Sequence, residues 1–256
     1  MVHFVGAGPG APDLITLRGA ELLKKADVVI YAGSLVNPAL LALCAPGCEI
    51  RDSARMTLEE VLTVMERAEA SGKSTVRLHT GDPSLYGAIR EQMDALKARG
   101  IAYDLTPGVS SFSAAAAALE AEYTLPGVSQ SLILCRAEGR TPVPAGEELA
   151  SLTAHGASMV LFLSAGMLEQ VQAQLLAGAY TADTPAAIVY KASWPEEKLL
   201  RCTVGTLAET GKKNEISRTA LVLAGDFLGE DYERSRLYDP DFHTGYRSAA
   251  EEKGGE

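Results

Sequence analysis

The stretch Val76-Arg77-Leu78-His79-Thr80-Gly81-Asp82-Pro83-Ser84-Leu85-Tyr86-Gly87 decides the fold. Its first residues form a short, mostly apolar run with β-branched members, the pattern of a buried strand. The pattern breaks at Gly81-Asp82-Pro83, and Leu85, Ile89, Met93 and Leu96 then recur at helical spacing on one face. Gly81-Asp82-Pro83 is therefore expected on a turn between the carboxyl end of a strand and a helix N-terminus. In open parallel α/β sheets that edge is where ligands bind. Glycine at 81 permits close approach of a ligand to the backbone, and Pro83 fixes the turn while removing a donor. Asp82 in such a place serves equally well as a turn or cap residue.

The same alternation extends to both sides. Val2 to Gly10 reads as a strand running into Gly6-Ala7-Gly8-Pro9-Gly10, followed by a helical face at Leu14, Leu17, Ala20 and Leu23 that ends near Ala26. The glycines invite a dinucleotide-binding reading, which fits badly. Pro9 interrupts the amides that should face a pyrophosphate, Ala11 stands at the third glycine position, and no carboxylate follows the next strand, Val28 to Tyr31. Asn37-Pro38 is a helix start, Glu49 to Asp52 a brief strand or extended link, and Thr57-x-x-Glu60 a capping box ahead of Leu58, Val61, Leu62, Met65 and Ala68. After the central turn come a helix stopping at Gly100, a strand from Ile101 to Leu105, and Thr106-Pro107-Gly108-Val109-Ser110-Ser111 leading into the alanine-rich helix Ala114 to Ala118. Short links between alternating elements imply a parallel, doubly wound sheet over residues 1–112.

From 113 to 247 the pattern changes. Strands at Leu132–Cys135, Met159–Leu163, Ala187–Ala192, Leu199–Val204 and Ala220–Ala224 have less helix between them, so a second domain with a mixed, partly antiparallel sheet is expected. Residues 248–256 are small and charged, and are expected to be a disordered tail.

A formal charge of −10 weighs against a nucleic-acid partner, which needs a basic footprint. The amino terminus enters a strand at once, without a signal-peptide pattern, and no apolar run approaches the ~20 residues of a membrane span. Cys44, Cys48, Cys135 and Cys202 lack zinc or redox spacing and read as free thiols. A soluble, cytoplasmic protein with no membrane partner is expected. His3, His79, His155 and His243 are scattered, and no G-x-S-x-G, H-E-x-x-H or Walker loop occurs, so neither a metal site nor a catalytic residue is assigned. What remains is a set of small-residue turns at strand ends: Gly8-Pro9-Gly10, Thr80 to Pro83, Pro107 to Ser111, Leu163-Ser164 and Tyr190-Lys191-Ala192. With Arg and Lys sparse in them, their carbonyls and hydroxyls suit a polar, partly cationic ligand better than a phosphate.

Gly6-Ala7-Gly8-Pro9-Gly10-Ala11-Pro12-Asp13-Leu14-Ile15-Thr16, His79 to Pro83, Thr106 to Ser111 and Thr219-Ala220-Leu221-Val222-Leu223-Ala224-Gly225 occur in an order that spans nearly the whole chain. On these motifs the sequence resembles the tetrapyrrole methylases, two-domain enzymes that use S-adenosylmethionine. Tyr31 to Val36, Arg136 to Pro142, Lys191 to Lys198 and Ser235 to Asp239 narrow the resemblance to members that methylate C11 of precorrin-4 or cobalt-precorrin-4. The resemblance implies two αβα domains with the active site in the cleft between them, and a homodimer. Carried over position by position, it implies cofactor contacts at Pro9, Thr80, Gly81, Asp82, Leu85, Ser110, Ser111, Ser164, Ala192 and Ala220. The Gly8–Asp13 loop would border the tetrapyrrole, with Asp13, Arg18, Arg55, Tyr86 and Lys191 as substrate candidates and Arg51 as a further cation for its carboxylates. Any cobalt would arrive in the substrate.

Three alternatives stay open: methylation of uroporphyrinogen III or another ring position, methylation of ribosomal RNA, which the acidic charge disfavours, and a non-catalytic ligand-binding module. Members acting on uroporphyrinogen III carry an acidic residue directly after the tyrosine of the second strand. Ala32 stands there, which favours a bulkier, already methylated macrocycle.

Overall fold

A computed structural model describes residues 1–248, so the tail expected to be disordered lies, apart from Ser248, outside the described residues. By internal contacts the chain divides into two units. The first comprises Met1–Ala118 with Tyr190–Lys198, the second Leu119–Val189 with Leu199 onward. A single cut after residue 112 differs from this in two ways. The helix that follows the fifth strand stays with the first unit almost to its end. The segment Tyr190–Lys198 belongs there too, because Trp194 and Ser193 hydrogen-bond the loop at Pro9 and Ala11.

The first unit runs β1 (Val2–Gly6), α1 (Leu17–Lys25), β2 (Val28–Tyr31), β3 (Glu49–Asp52), α2 (Leu58–Ala70), β4 (Thr75–His79), α3 (Arg90–Ala98), β5 (Tyr103–Thr106) and α4 (Ser111–Leu119). Its strands lie in the order β3-β2-β4-β1-β5, with all four pairings parallel. Two apolar layers cover the sheet. Val2, Phe4, Val28 and Ile30 pack with Val61, Leu62 and Met65 of α2 and Leu96 of α3, while Val5, Val29, Val76 and Leu78 pack with Leu23 of α1 and Leu40. Side chains alternate across each strand, so β1 and β2 feed both layers. Right-handed crossovers decide which helix covers which face: the β1-to-β2 step goes one way along the sheet, and the β3-to-β4 and β4-to-β5 steps go the other.

Local chemistry sets the helix ends. Thr16 Oγ1 caps α1 by accepting from Gly19 N–H. Thr57 and Glu60 form the expected capping box on α2, and Gly72 ends that helix in the left-handed region. Three local expectations are corrected. The run opened by Asn37-Pro38 is a 3-10 helix (Pro38–Leu43), Leu17 is 89% exposed and so outside the buried face of α1, and the helix after the central turn begins only at Arg90. Tyr86 (φ 55°) and Ala88 (φ 47°) are left-handed, and a side chain on Gly87 would stand 2.2 Å from the Pro83 carbonyl oxygen. Residues 82–89 are therefore folded back on themselves and form no helix.

The second unit runs β6 (Leu132–Arg136), α5 (Leu149–Thr153), β7 (Ser158–Phe162), α6 (Leu168–Leu176), β8 (Pro185–Tyr190), β9 (Lys198–Thr203), α7 (Leu207–Lys213) and β10 (Ala220–Ala224). Its sheet, ordered β6-β7-β10-β8-β9, is mixed: β6 and β7 are parallel, β7 and β10 antiparallel. Helix α7, which buries Leu207 and Gly211, has too few apolar positions to stand out in the sequence.

Candidate functional site

Strands β1 and β4 are neighbours whose onward connections leave on opposite faces of the first sheet. That makes their carboxyl ends the topological switch point, where such a sheet opens a crevice. The turns expected to bind a ligand sit there. Gly8 N–H donates to Gly81 O (3.3 Å), Gly81 N–H donates to Gly8 O (2.8 Å), and Ala7 N–H donates to His79 O (2.7 Å).

The turn after β5 closes on the same point. A side chain on Gly108 would stand 2.2 Å from Gly81 O and 2.8 Å from Gly6 Cα, and one on Gly6 would stand 2.5 Å from Gly108 Cα. Glycine is required at both places because the neighbours are backbone and cannot turn aside. Gly81 differs. Its need is conformational (φ 60°), and a side chain there would meet nothing closer than Ser111 N at 3.5 Å.

Asp82 fastens the three turns together. One carboxylate oxygen accepts from Gly108 N–H (2.8 Å), the other from Ser84 N–H (2.8 Å) and the Ser84 hydroxyl. Partial burial acts to raise the carboxyl pKa, but the bonds from Ser84 and Gly108 outweigh it and hold the group below its ordinary range. Asp82 is thus ionised at neutral pH, in turns that carry no Arg or Lys.

Behind these turns, β4 directs a polar row of Thr75, Arg77 and His79 into the layer formed with α2 and α3. Arg77 is buried. Its Nε donates to Gln92 Oε1 (3.2 Å) and its Nη1 to Ile30 O (3.3 Å), no carboxylate among the described residues pairs with it, and burial pulls the guanidinium down to about 10. His79 is 6% exposed, packs its ring 6.0 Å from that of Phe4, and leaves Nε2 without a partner. Burial, then the charge of Arg77, push its pKa from 6.5 down to about 3.

His79 is therefore neutral in the folded chain, and the unfolded chain takes up its proton first as pH falls. The stability this contributes is complete above pH 6.5 and is lost as pH falls from there toward 3. Between pH 5.5 and 4 the unfolding free energy should decline by about 1.4 kcal/mol more per pH unit than in His79→Gln. Denaturant titrations across that range check it, and equal slopes for the two proteins would exclude His79 as the titrating group.

Pro9, Thr80, Gly81, Asp82, Leu85, Ser110, Ser111 and Ala192 all lie in the first unit, as do Asp13, Arg18, Arg55, Tyr86 and Lys191. Pro9, Gly81, Ser110 and Ala192 are buried, Thr80, Asp82, Leu85, Ser111 and Lys191 half-buried, and Asp13, Arg18, Arg55 and Tyr86 exposed. Ser164 and Ala220 lie in the second unit. The Ser164 hydroxyl is fully buried, accepting from Ala137 N–H (2.9 Å) and donating to Phe162 O (2.7 Å), so it shapes its turn and is not open to a ligand.

Sequence reading missed the strain at these strand ends. Leu163, directly after β7, has φ 54° and is 66% exposed; Lys191, directly after β8, has φ 48°; Thr219, directly before β10, has φ 56°. Such conformations cost on the order of 1–3 kcal/mol each and concentrate at ligand sites. Trp194 lies within the Lys191–Lys198 motif, but nothing in the sequence marks its partner: its indole Nε1 donates to Pro9 O (2.9 Å).

Among the described residues no cluster could hold a metal ion, and no helix is long and apolar enough to cross a membrane. The architecture is thus two α/β units, the first with its small-residue turns interlocked at the switch point of a parallel sheet. The chain belongs to the tetrapyrrole (corrin/porphyrin) methylases, whose family model matches residues 1–208.

Among its relatives is the cobalt-precorrin-4 C(11)-methyltransferase of Methanocaldococcus jannaschii, 49% identical over 97% of this chain and 96% of that protein. The X-ray structure of a cobalamin biosynthetic enzyme, a cobalt precorrin-4 methyltransferase, superposes with a TM-score of 0.88 at 48% identity, covering 90% of this chain and 96% of the other. The uroporphyrin-III C-methyltransferase of Thermus thermophilus, crystallised with S-adenosyl homocysteine, superposes with a TM-score of 0.73 at 28% identity, covering 89% and 92%.

Proposed function

We propose that this chain methylates C11 of cobalt-precorrin-4, or of precorrin-4 without the metal, in cobalamin biosynthesis, with S-adenosylmethionine as donor. The observation that carries the reading is near-full-length identity of about one half to a protein of that named activity. The crevice chemistry agrees with the donor. A sulfonium is cationic, and the turns at Gly8–Gly10, Thr80–Pro83 and Pro107–Ser111 offer backbone carbonyls, small side chains and the ionised Asp82, with no Arg or Lys among them. Pro9, Thr80, Gly81, Leu85, Ser110, Ser111 and Ala192 of the first unit would hold it; Ser164 and Ala220, which the family resemblance also implies as contacts, belong to the second unit. Ser164 acts through the backbone it braces, and Asp82 through the clasp as well as its charge.

When bound, the donor supplies an already electrophilic methyl group. The protein's task is then alignment of that methyl with an electron-rich ring carbon, which can supply about 7–11 kcal/mol. Turns braced by Gly6, Gly108 and Asp82 are suited to it because their backbone is held from several sides. Exposed Arg18 and Arg55 and half-buried Lys191 are the cations we assign to the macrocycle's carboxylates, with Asp13 and Tyr86 as further substrate contacts; the cobalt stays with the substrate. Ala32, where members acting on uroporphyrinogen III carry an acid, favours a macrocycle already bearing methyl groups, while Gly33 makes room for the Asp52 carboxylate, which accepts from its N–H (2.9 Å). The chain works in the cytoplasm, where its unpaired cysteines suit a reducing compartment, and as a homodimer, as the family resemblance implies.

The test is incubation with labelled S-adenosylmethionine and, separately, cobalt-precorrin-4, precorrin-4 and uroporphyrinogen III, with the label located by NMR. Label at C11 of either precorrin and none on uroporphyrinogen III is expected. Rapid labelling of uroporphyrinogen III at C2 or C7 would replace this reading with the alternative.

A further inference from the structure

The turn Gly8–Ala11 is gripped at three consecutive residues by side chains from elsewhere in the first unit. Trp194 Nε1 donates to Pro9 O (2.9 Å), Asn37 Nδ2 donates to Gly10 O (2.8 Å), and Ser193 Oγ accepts from Ala11 N–H (3.0 Å). The indole also occupies the place of a side chain at position 10: a Cβ there would lie 2.0 Å from Cδ1 and 2.2 Å from Nε1 of Trp194. Gly10 is glycine here for the indole, and not for a phosphate.

The segment that carries the indole is held under strain. Lys191 (φ 48°) and Ser193 (φ 68°) are both left-handed, a conformation that persists only when its surroundings over-determine it. They do so here. Ser193 N–H donates to Glu197 Oε2 (2.6 Å), Trp194 N–H to Lys191 O (3.0 Å) and Glu197 N–H to Trp194 O (3.1 Å). The Lys191 ammonium lies 4.9 Å from the centre of the indole and 3.6 Å from Glu196. A half-buried aromatic with a cation on its ring is thus held against a backbone turn whose next residues lead to Asp13.

We propose that Trp194 is a positioning residue for the macrocycle: it fixes the Gly8–Asp13 loop in the conformation that receives the tetrapyrrole, without itself taking part in methyl transfer. The proposal rests on the reading above that this loop borders the substrate. The Gly81 turn is held separately, by its bridge to Gly8 and by the Asp82 clasp. Among the proposed donor contacts the indole bonds Pro9 alone, while those at Gly81, Asp82, Ser110 and Ser111 sit on the turns the Asp82 clasp fastens, so loosening the indole acts on the macrocycle more than on the donor.

Trp194 is the only tryptophan in the chain, so its fluorescence reports this contact directly. Trp194→Phe keeps a ring but loses the donor to Pro9, and Gly10→Ala attacks the same contact from the loop side. Both should raise the Kd for cobalt-precorrin-4, followed by its visible absorption, about tenfold, and leave the calorimetric Kd for S-adenosylhomocysteine within twofold. Gly10→Ala should in addition shift the Trp194 emission to longer wavelength as the indole is displaced toward water. An unchanged macrocycle Kd in both folded variants would overturn the proposal, and so would an equal loss of affinity for both ligands, which would mark a merely structural role. Because binding is read without turnover, a parent protein that binds the macrocycle but does not label C11 would refute the proposed function and leave this inference standing.

Discussion

Gly108→Ala should cost about 3 kcal/mol of stability, at the upper end of what overpacking usually does, and should lower affinity for S-adenosylhomocysteine at least tenfold. The added methyl would stand 2.2 Å from Gly81 O and 2.8–2.9 Å from Gly6 Cα and C, all of them backbone atoms of the two central strand ends. No rotamer relieves that contact, so the turn after β5 must move away. Moving it pulls Gly108 N–H from Asp82 and disturbs the paired bonds between Gly8 and Gly81. Gly81→Ala is the informative contrast. Its methyl meets nothing closer than 3.5 Å, and the cost is only that of a left-handed alanine, about 1–2 kcal/mol. Denaturant midpoints and calorimetry on the two variants check the ranking. A Gly108→Ala protein as stable as Gly81→Ala, with parental affinity, would show that the three turns do not interlock.

Asp82→Ala should also destabilise by about 3 kcal/mol, since it strands the Gly108 and Ser84 amides and the Ser84 hydroxyl, and bonds to a charged acceptor are worth about 1.5–3 kcal/mol each before solvent exposure is discounted. Asp82→Asn keeps one carbonyl oxygen and should recover roughly half of that loss. The folded-state pKa of Asp82 lies below its ordinary 3.8, so its contribution is complete above pH 3.8 and is lost as pH falls through the folded value. The gap in unfolding free energy between the parent and Asp82→Asn should therefore be constant at neutral pH and shrink below 3.8. A gap that persists into strong acid would mean that the carboxylate charge is not what holds the clasp.

Both predictions alter how the central stretch is understood. Gly81 and Asp82 stand out in the sequence as ligand contacts. In the fold, the crowding that demands glycine falls on Gly6 and Gly108, while Asp82 spends its carboxylate on neighbouring backbone. Asp82 can still present its negative charge to a cation, but its hydrogen-bonding role is internal. The same holds for Ser164, which the sequence marks as a contact and the structure shows bonded to Ala137 and Phe162.

What the sequence determined by itself is whatever is encoded within a few residues. Apolar runs such as Val28–Tyr31 specify buried parallel strands, Thr57 and Glu60 specify a helix start, and the small-residue turns mark the carboxyl edge of the sheet where a ligand binds. The ordered motifs also carry the family, since they record a ligand's demands at positions that need not touch one another in the chain. The tertiary structure alone decided the rest. Leu85, Ile89 and Met93 share a helical period, yet the backbone at Tyr86 and Ala88 is turned left-handed by packing around Pro83, which no local propensity predicts. Trp194 and Pro9 lie 185 positions apart, and nothing near either one announces the other. Their contact arises because the connection between β8 and β9 packs with the first unit, a matter of long-range burial and hydrogen bonding that only the folded chain can express.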